Sequence, residues 1–484
     1  MARAKIMGMD ALPLYRQLAA HYQHVIDTGT LSPGSRMPSL RALMDRHDVS
    51  LSTALQSCRH LERYGYLEAR PRSGYFVRQP HKPACEPVAE PIARLAEPAQ
   101  YVGIHERVSA VIAQGRLHPV KFNLAVAVAA PELYPVEALK QAAIRALRHD
   151  PTVLTSAAVP NGSAAFRAVL AQRALSARIA VSRDEIIVTH GCIEALNLAL
   201  RAVAQPGDVI AVESPSYYGL LQILESLGMK ALEIPASAQT GISIEALELA
   251  AQTYRNIKAV VVVPNFQNPL GAVMPDASKA RLVEWCEAQA IPLIEDDTYS
   301  LLSNDDTPLS ACKAWDKTGN VLYCASLHKT LAPGMRLGWL IAGKWQARVE
   351  MLKHAQSRAN EVLPQLAAAD FMGSSAYDRH LRRLRLALRD QREQMAEAVA
   401  TYFPAGTRLT VPQGGLCLWI EMPGRASSGR LFEQAMLAGI GIAPGVMFSN
   451  SDRFDAFFRI SCGQRYTREL NTAMRTLGRL AAEP

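Results

Sequence analysis

One lysine and one arginine stand at a spacing that suits chemistry on an aldehyde that also carries a phosphate. The segment YCASLHKTLAPGMRLGW, residues 323–339, places Lys329 after an apolar β-type run and Arg336 beyond a glycine-containing turn. A lysine amine forms Schiff bases with aldehyde cofactors, and the fork of Arg336 and the hydroxyl of Ser326 can hold a phosphate. A lone lysine and arginine more often lie on a solvated surface, but this S-x2-K-x6-R frame is more specific.

Two further segments supply groups that can tune a ring. In PLIEDDTYSLL, residues 292–302, Asp296 ends a predicted strand and can pair with a pyridinium nitrogen, which makes the ring an electron sink. Tyr299 and Asn268, the latter within VVVPNFQNPLG, can reach a phenolic oxygen on the same ring. Taken alone, these segments indicate only an acidic loop and an Asn-Pro turn.

A fourth region offers a second phosphate contact. In VTHGCIEALNLAL, residues 188–200, Gly191 and Cys192 open a helix directly after a strand, where free N–H groups bind anions. Tyr217, in ESPSYYG, can stack on a ring face. Each feature alone is an ordinary turn or a buried aromatic residue.

Together the four segments indicate one cofactor, pyridoxal 5'-phosphate. They resemble the fold-type I, aspartate-aminotransferase-like family over about residues 100–480, and HLRRLRLALRDQR and PQGGLCLW match as well. The resemblance implies that Arg459, in FFRISCG, binds the α-carboxylate of a substrate. One departure concerns turnover: Ala157 stands where the family often has a tyrosine, ahead of Gly162 and Arg167 in PNGSAAFR.

The first 78 residues predict a small DNA-binding domain. Helical apolar spacing covers Leu14 to Ile26, Ser39 is an N-cap for a helix from Leu40 to His47, and a third helix follows from about Ser52 to Tyr64. A hairpin around residues 71–74 completes a winged helix-turn-helix, with the third helix expected in a major groove. The candidate DNA contacts are Arg36, Arg41, Ser50, Ser52, Thr53, Arg70, Arg72 and Gly74.

Residues 10–78 resemble the winged helix of the GntR family. That family's recognition helix usually begins Ser-Arg, whereas Leu51 follows Ser50 here, so one common DNA-contacting arginine is absent. A generic helical domain with a solvated basic face is the alternative reading of the periodicity alone.

The rest of the chain predicts a second, larger domain after a linker. Five prolines between residues 79 and 100 indicate an extended linker. From residue 101 on, apolar strands alternate with helices, which favours a mostly parallel sheet covered on both faces. After about Ala347 the pattern indicates a smaller α+β C-terminal domain that continues to residue 484.

Composition narrows the class of protein. The 484 residues are 49% hydrophobic and 20% charged, and residues 1–80 carry +5 of the net charge of +8, so a basic arm suited to a polyanion precedes a nearly neutral body. No apolar run is long enough to span a membrane, and the N-terminus does not read as a secretory signal, so we expect a cytoplasmic protein. The eight cysteines lack zinc-type spacing, which predicts reduced thiols and no metal site.

The fusion of these two parts resembles the MocR subfamily of bacterial transcription regulators. The resemblance implies a homodimer held by the aminotransferase-like bodies and a regulator that binds double-stranded DNA. We expect an amine or amino acid to displace Lys329 and form an external aldimine. The alternatives are an active aminotransferase carrying a DNA-binding arm, both roles in one chain, or a scaffold without cofactor.

Overall fold

A computed structural model describes residues 12–70, 73–78, 85–90, 98–424 and 426–483. These residues fall into two compact units. The first contains the described residues before position 83 together with 304–306, and the second contains the remainder.

The first unit has the three helices and the hairpin of a winged helix-turn-helix, as predicted. Ser39 caps the second helix by accepting from the backbone N–H of Ala42 at 3.2 Å, and Ser50 caps the third by accepting from the N–H of Thr53 at 3.2 Å. Between these helices Asp48 adopts a left-handed conformation, which closes the predicted turn. The elements are α1 (Leu14–Asp27), α2 (Leu40–His47), α3 (Leu51–Arg63), β1 (Leu67–Arg70) and β2 (Gly74–Val77).

The apolar faces of these helices meet in one small core. Leu18 and Tyr22 of α1, Leu43 of α2 and Leu61 of α3 are all buried in it. The buried residues of α1 and α3 recur every three to four positions along each helix, so one face of each helix packs into the core.

A long twisted sheet forms the centre of the second unit. The strand order is β3-β7-β6-β9-β10-β11-β12-β5, and the pairs from β7 to β11 are parallel. Strand β12 runs antiparallel between β11 and β5, which makes the sheet mixed although mostly parallel. The strands are β3 (Gln100–Tyr101), β5 (Ile186–Thr189), β6 (Val209–Ser214), β7 (Lys230–Ser237), β9 (Ile257–Val262), β10 (Leu293–Asp296), β11 (Val321–Ser326) and β12 (Gly338–Ile341), and the short β8 (Gly241–Ile242) pairs with β7.

Helices cover both faces of this sheet. Residues of β5, β6, β9, β10 and β11 are buried along almost their whole length, because successive side chains enter separate apolar clusters on the two faces. This explains the uninterrupted apolar runs in the sequence. The helices are α4 (His105–Leu117), α5 (Val136–His149), α6 (Ala164–Ala174), α7 (Cys192–Val203), α8 (Tyr218–Ser226), α9 (Ile244–Thr253) and α10 (Asp276–Ala288).

The C-terminal part is α+β, as expected, and its core also includes residues from far earlier in the chain. The short strand β4 (Phe122–Asn123) pairs in parallel with β15 (Ile440–Gly441), and Leu124 lies in the same apolar cluster. The other elements are α11 (Gln346–Gln356), α12 (Val362–Met372), α13 (Ser375–Tyr402), β13 (Arg408–Leu409), β14 (Cys417–Glu421), α14 (Ser428–Leu437), β16 (Ala443–Pro444), β17 (Phe457–Ser461) and α15 (Arg468–Ala482), with β13-β14-β17-β16 forming an antiparallel sheet.

All eight cysteines are free thiols, and seven of them are buried. Within the described ranges, no helix has the length and apolar character needed to cross a membrane. The same ranges contain no group of three or more histidine, cysteine or carboxylate side chains arranged to hold a metal ion.

Two leucines of α3 provide a matched test of the winged-helix core. Leu61 is 1% exposed and Leu51 is 54% exposed. Leu61→Ala should lower the free energy of opening of this unit by about 2–5 kcal/mol, because it removes buried contacts and leaves a cavity, whereas Leu51→Ala should change it by less than about 0.5 kcal/mol. Hydrogen–deuterium exchange of the α3 amides in the full chain measures both values. Equal protection in the two variants would contradict this core.

Candidate functional site

Five strand ends bring the predicted cofactor contacts together. In the sheet, β5, β6, β9, β10 and β11 all run in the same direction, so their carboxyl ends meet at one edge. Ligands of open α/β sheets bind at that edge. A cavity there is lined by Gly191, Cys192, Ile193, Tyr217, Val263, Asn268, Asp296, Thr298, Tyr299, Ser326, His328, Lys329 and Arg336.

One end of the cavity combines a helix N-terminus with a guanidinium group. Gly191 precedes α7 with φ +81°, a left-handed conformation that favours glycine. A Cβ at this position would lie 3.5 Å from Nη2 of Arg336. Ser326 ends β11 beside them, so first-turn N–H groups, a cation and a hydroxyl line the same end. This donor set suits a phosphate.

Asp296 lies buried at the end of β10 with its carboxylate held by neighbours. Its Oδ1 accepts from the hydroxyl of Thr298 at 2.6 Å, from the N–H of Thr298 at 3.1 Å and from Sγ of Cys192 at 3.2 Å. Burial raises the pKa of the Asp296 carboxyl, and these hydrogen bonds oppose the rise.

An aromatic ring lies against the same cavity. Tyr217 folds back over Gly219, where a Cβ would come within 2.5 Å of the ring carbons. Only glycine therefore fits in the Y-Y-G sequence after β6, and the partly buried ring of Tyr217 lines the cavity.

Lys329 extends into the cavity from the turn after β11. Its Nζ donates to the main-chain oxygen of Ala127 at 2.7 Å and lies 5.8 Å from the centre of the Tyr299 ring. Burial lowers the pKa of Lys329 to about 8, and the positive charge of Arg459 adds to that shift. About a tenth of the amine is therefore neutral, and nucleophilic, at pH 7, far more than for an ordinary lysine.

A chain of hydrogen bonds joins the cavity to the predicted carboxylate-binding arginine. Nη1 of Arg459 donates to Oδ1 of Asn268 at 2.8 Å, and Nδ2 of Asn268 donates to the hydroxyl of Tyr299 at 3.4 Å. Arg459 is 1% exposed, its Nη2 donates to the main-chain oxygen of Ala125, and its buried Nε has no hydrogen-bond partner. Arg459 thus lies beside the cavity with donor capacity left for an anion.

The residues present fit pyridoxal 5'-phosphate. The cavity offers anion donors at one end, a buried carboxylate, an aromatic face, and an amine whose pKa is lowered. All nine residues predicted as cofactor contacts line it.

Sequence reasoning missed several residues of this site. Thr298 could have been found, since a hydroxyl two residues after an aspartate often bonds to its carboxylate. The oxygens of Ala125 and Ala127 are main-chain atoms in an apolar segment, which carries no side-chain signal. Cys417 was noted only as a thiol, yet it lies close enough to Lys329 to influence its pKa.

The family departure at position 157 lies outside the cavity lining. Ala157 is exposed, whereas Gly162 and Arg167 meet as Nε of Arg167 donates to the oxygen of Gly162 at 3.2 Å. Arg167 also pairs with Asp184 at 3.1 Å, so its contacts here belong to the scaffold.

The predicted DNA contacts form two groups within the first unit, with Arg41 exposed in the first turn of α2. At the start of α3 the hydroxyl of Ser50 lies 2.7 Å from that of Ser52 and 2.9 Å from that of Thr53. Since Ser50 also caps the helix, part of its hydrogen-bonding capacity serves the fold.

The second group lies at the hairpin. The backbone of Arg36 forms an isolated antiparallel β-bridge with Phe76 of β2. The guanidinium of Arg36 lies 3.8 Å from the position that a Cβ would occupy at Gly74. Arg70 stacks 4.3 Å from the Phe76 ring centre and pairs with Glu68 at 2.6 Å. Two arginines and the glycine therefore share this hairpin, and Arg72 lies outside the described residues.

Comparison with known families divides the chain into the same two parts. Residues 14–77 match the model of the gntR family of bacterial regulatory proteins. Residues 120–477 match the model of aminotransferase class I and II. The fold and the resemblance predicted from sequence are thereby confirmed.

Relatives and solved structures agree with both matches. The uncharacterised HTH-type transcriptional regulator YdcR of Escherichia coli is 36% identical, over 97% of this chain and 99% of that protein. Aromatic-amino-acid aminotransferase 1 of Thermococcus litoralis is 29% identical, over 67% of this chain and 79% of its own. The α-aminoadipate aminotransferase LysN of Thermus thermophilus, solved with N-(5'-phosphopyridoxyl)-L-leucine, is similar with a TM-score of 0.71 and 25% identity, covering 77% of this chain and 94% of LysN.

The lowered pKa of Lys329 can be measured on the protein without cofactor. Trace acetylation with acetic anhydride modifies only neutral amines, so labelling of Lys329 should reach half its maximum near pH 8. An ordinary lysine reaches that point near pH 10.4. Mass spectrometry quantifies Lys329 and the exposed Lys140, which gives a reference curve from the same digests. A Lys329 curve that coincides with that of Lys140 would refute the shift.

Proposed function

This chain belongs to the aminotransferase class I and II family and carries a gntR-family domain at its N-terminus, and from that premise we propose that it is a ligand-sensing transcription regulator. Its ligand is an amine or amino acid, bound at the cavity that holds Lys329. As in the MocR subfamily that it resembles, DNA binding belongs to the winged helix, and the protein acts as a homodimer on paired half-sites.

One observation carries the proposal. The cavity brings Asp296 together with Lys329 and Arg336, which come from a different segment of the chain, and it connects to Arg459 through Asn268. A residual scaffold would not need a partly buried lysine with a lowered pKa near an arginine with an unpartnered Nε.

Each residue has a defined role in this proposal. Pyridoxal 5'-phosphate supplies an aldehyde that combines with primary amines and a ring that withdraws electrons. Lys329 would attach the cofactor covalently, Ser326, Arg336 and the start of α7 would hold its phosphate, and Asp296 would pair with the ring nitrogen. Tyr217 would cover the ring, while Asn268 and Tyr299 would donate toward its phenolic oxygen. Arg459 would bind the carboxylate of an amino-acid ligand.

A short main-chain segment links ligand binding to the rest of the body. The oxygens of Ala125 and Ala127 accept hydrogen bonds from Arg459 and Lys329. The same segment is joined to the C-terminal part, because Ala130 donates to the oxygen of Gly463 at 2.8 Å. A ligand carboxylate that engages Arg459 competes with the carbonyl of Ala125, so it favours a different position of the segment. Such differential binding is what a switch requires.

The proposal predicts a specific response to ligand. A panel of amino acids and amines is titrated into the purified protein while the visible absorbance of the bound cofactor is followed. One amine should change that spectrum with saturable concentration dependence. The same amine should alter the protein's footprint on the DNA that flanks its gene.

Two outcomes separate this proposal from others. Steady conversion of an amino acid with a keto acid, with no change in the footprint, would indicate an aminotransferase that keeps a DNA-binding arm. A footprint that neither amines nor removal of the cofactor alters would refute ligand sensing.

Two substitutions should separate the two activities. Lys329→Ala should abolish covalent cofactor attachment, measured as the mass added after borohydride reduction, and leave non-specific DNA binding unchanged. Arg41→Ala should do the reverse, since loss of a phosphate contact weakens binding on all sequences and reduces the salt slope by about 1. Arg148→Ala removes an exposed arginine from the second unit and is the matched control for charge. The assignment fails if Lys329→Ala still acquires the cofactor mass.

A further inference from the structure

Three hydrogen-bond donors converge on one oxygen of Asp296. The hydroxyl and the N–H of Thr298 lie 2.6 and 3.1 Å from Oδ1, and Sγ of Cys192 lies 3.2 Å from the same atom. All three residues are 8% exposed. In the part of the chain that the structure describes, no donor reaches Oδ2 of Asp296.

The arrangement divides the two oxygens of the carboxylate between two tasks. Oδ1 is saturated by protein donors that come from the loop after β10 and from the first residue of α7. Oδ2 keeps its full accepting capacity and belongs to a group that lines the cavity. Turning the carboxylate out of this orientation would break all three hydrogen bonds.

We propose that Thr298 and Cys192 are positioning residues that keep Asp296 charged and reserve its Oδ2 for the ring nitrogen of pyridoxal phosphate. This inference rests on the proposed function, because it assumes that the cofactor binds in this cavity. Neither residue need touch the reacting atoms of a ligand for this role.

The physical need for such donors follows from burial. Burial favours the neutral carboxylic acid, whereas hydrogen bonds to the charged form favour the carboxylate. A neutral Asp296 would hold a cationic ring nitrogen only weakly. The Thr298 hydroxyl makes the shortest of the three hydrogen bonds, whereas the Cys192 thiol is a weak donor. Removing the hydroxyl should therefore have a larger effect than removing the thiol.

The simpler reading is that Thr298 only shapes its own loop. An aspartate that accepts from the N–H two residues later is a common local turn. Thr298→Val separates the two roles, since valine keeps the N–H and the branched shape and removes only the hydroxyl. Thr298→Ser keeps the hydroxyl and is the conservative control.

The experiment measures the dissociation constant of pyridoxal phosphate from the full chain between about pH 5 and pH 9, for the wild type and for Thr298→Val, Thr298→Ser and Cys192→Ala. Thr298→Val should weaken binding at neutral pH by about tenfold or more, the size expected for one hydrogen bond to a charged group. Because removing the donor raises the pKa of Asp296, the loss of affinity on the acid side should move to higher pH, by about one unit for a tenfold change. Cys192→Ala should shift both quantities in the same direction by less, and Thr298→Ser should match the wild type.

Three results would overturn the inference. Thr298→Val with wild-type affinity and an unmoved acid limb would show that the hydroxyl does not act on Asp296. Thr298→Ser as impaired as Thr298→Val would show the same. A wild-type protein that takes up no pyridoxal phosphate would overturn the proposed function as well, so that failure is distinguishable. Thermal unfolding checks that each variant is folded. If Thr298→Val does not fold, the inference is tested on Cys192→Ala alone, and wild-type affinity with an unmoved acid limb in that variant would overturn it.

Discussion

The common direction of five strands is the constraint on which the candidate site depends. Strands β5, β6, β9, β10 and β11 end at one edge of the sheet, and the turn after each end contributes a side chain or N–H group to the cavity. Because the strands are buried on both faces, their ends cannot shift independently of the core. A rigid sheet thus holds groups that are up to about 150 residues apart in the chain.

Burial at this edge sets the electrostatics. Desolvation lowers the pKa of Lys329 and raises that of Asp296, so it favours the neutral form of both. The surrounding hydrogen bonds counteract this unequally. Asp296 receives three donors, whereas Lys329 has one carbonyl acceptor, which leaves the amine closer to its reactive form.

The departures from the two families fall on exposed positions. Leu51 is largely exposed at the start of α3, and Ala157 is exposed outside the cavity. Neither residue is part of a core, so neither changes the fold. The cavity and the winged helix are therefore compatible with both substitutions.

Local patterns in the sequence were sufficient for the elements and for most side chains of the site. Helix α2 has its predicted bounds, because the cap Ser39 and the turn at Asp48 are local signals. The lysine, arginine and aspartate of the cavity were found because each follows a strand with a recognisable apolar pattern. What only the tertiary structure decided involves partners distant in sequence: the pairing of β4 with β15, the antiparallel insertion of β12, the thiol of Cys192 on Asp296 and the carbonyls that hold Lys329 and Arg459. Such contacts depend on where whole elements pack, and a main-chain oxygen is the same in every residue, so no pattern of side chains could have predicted them.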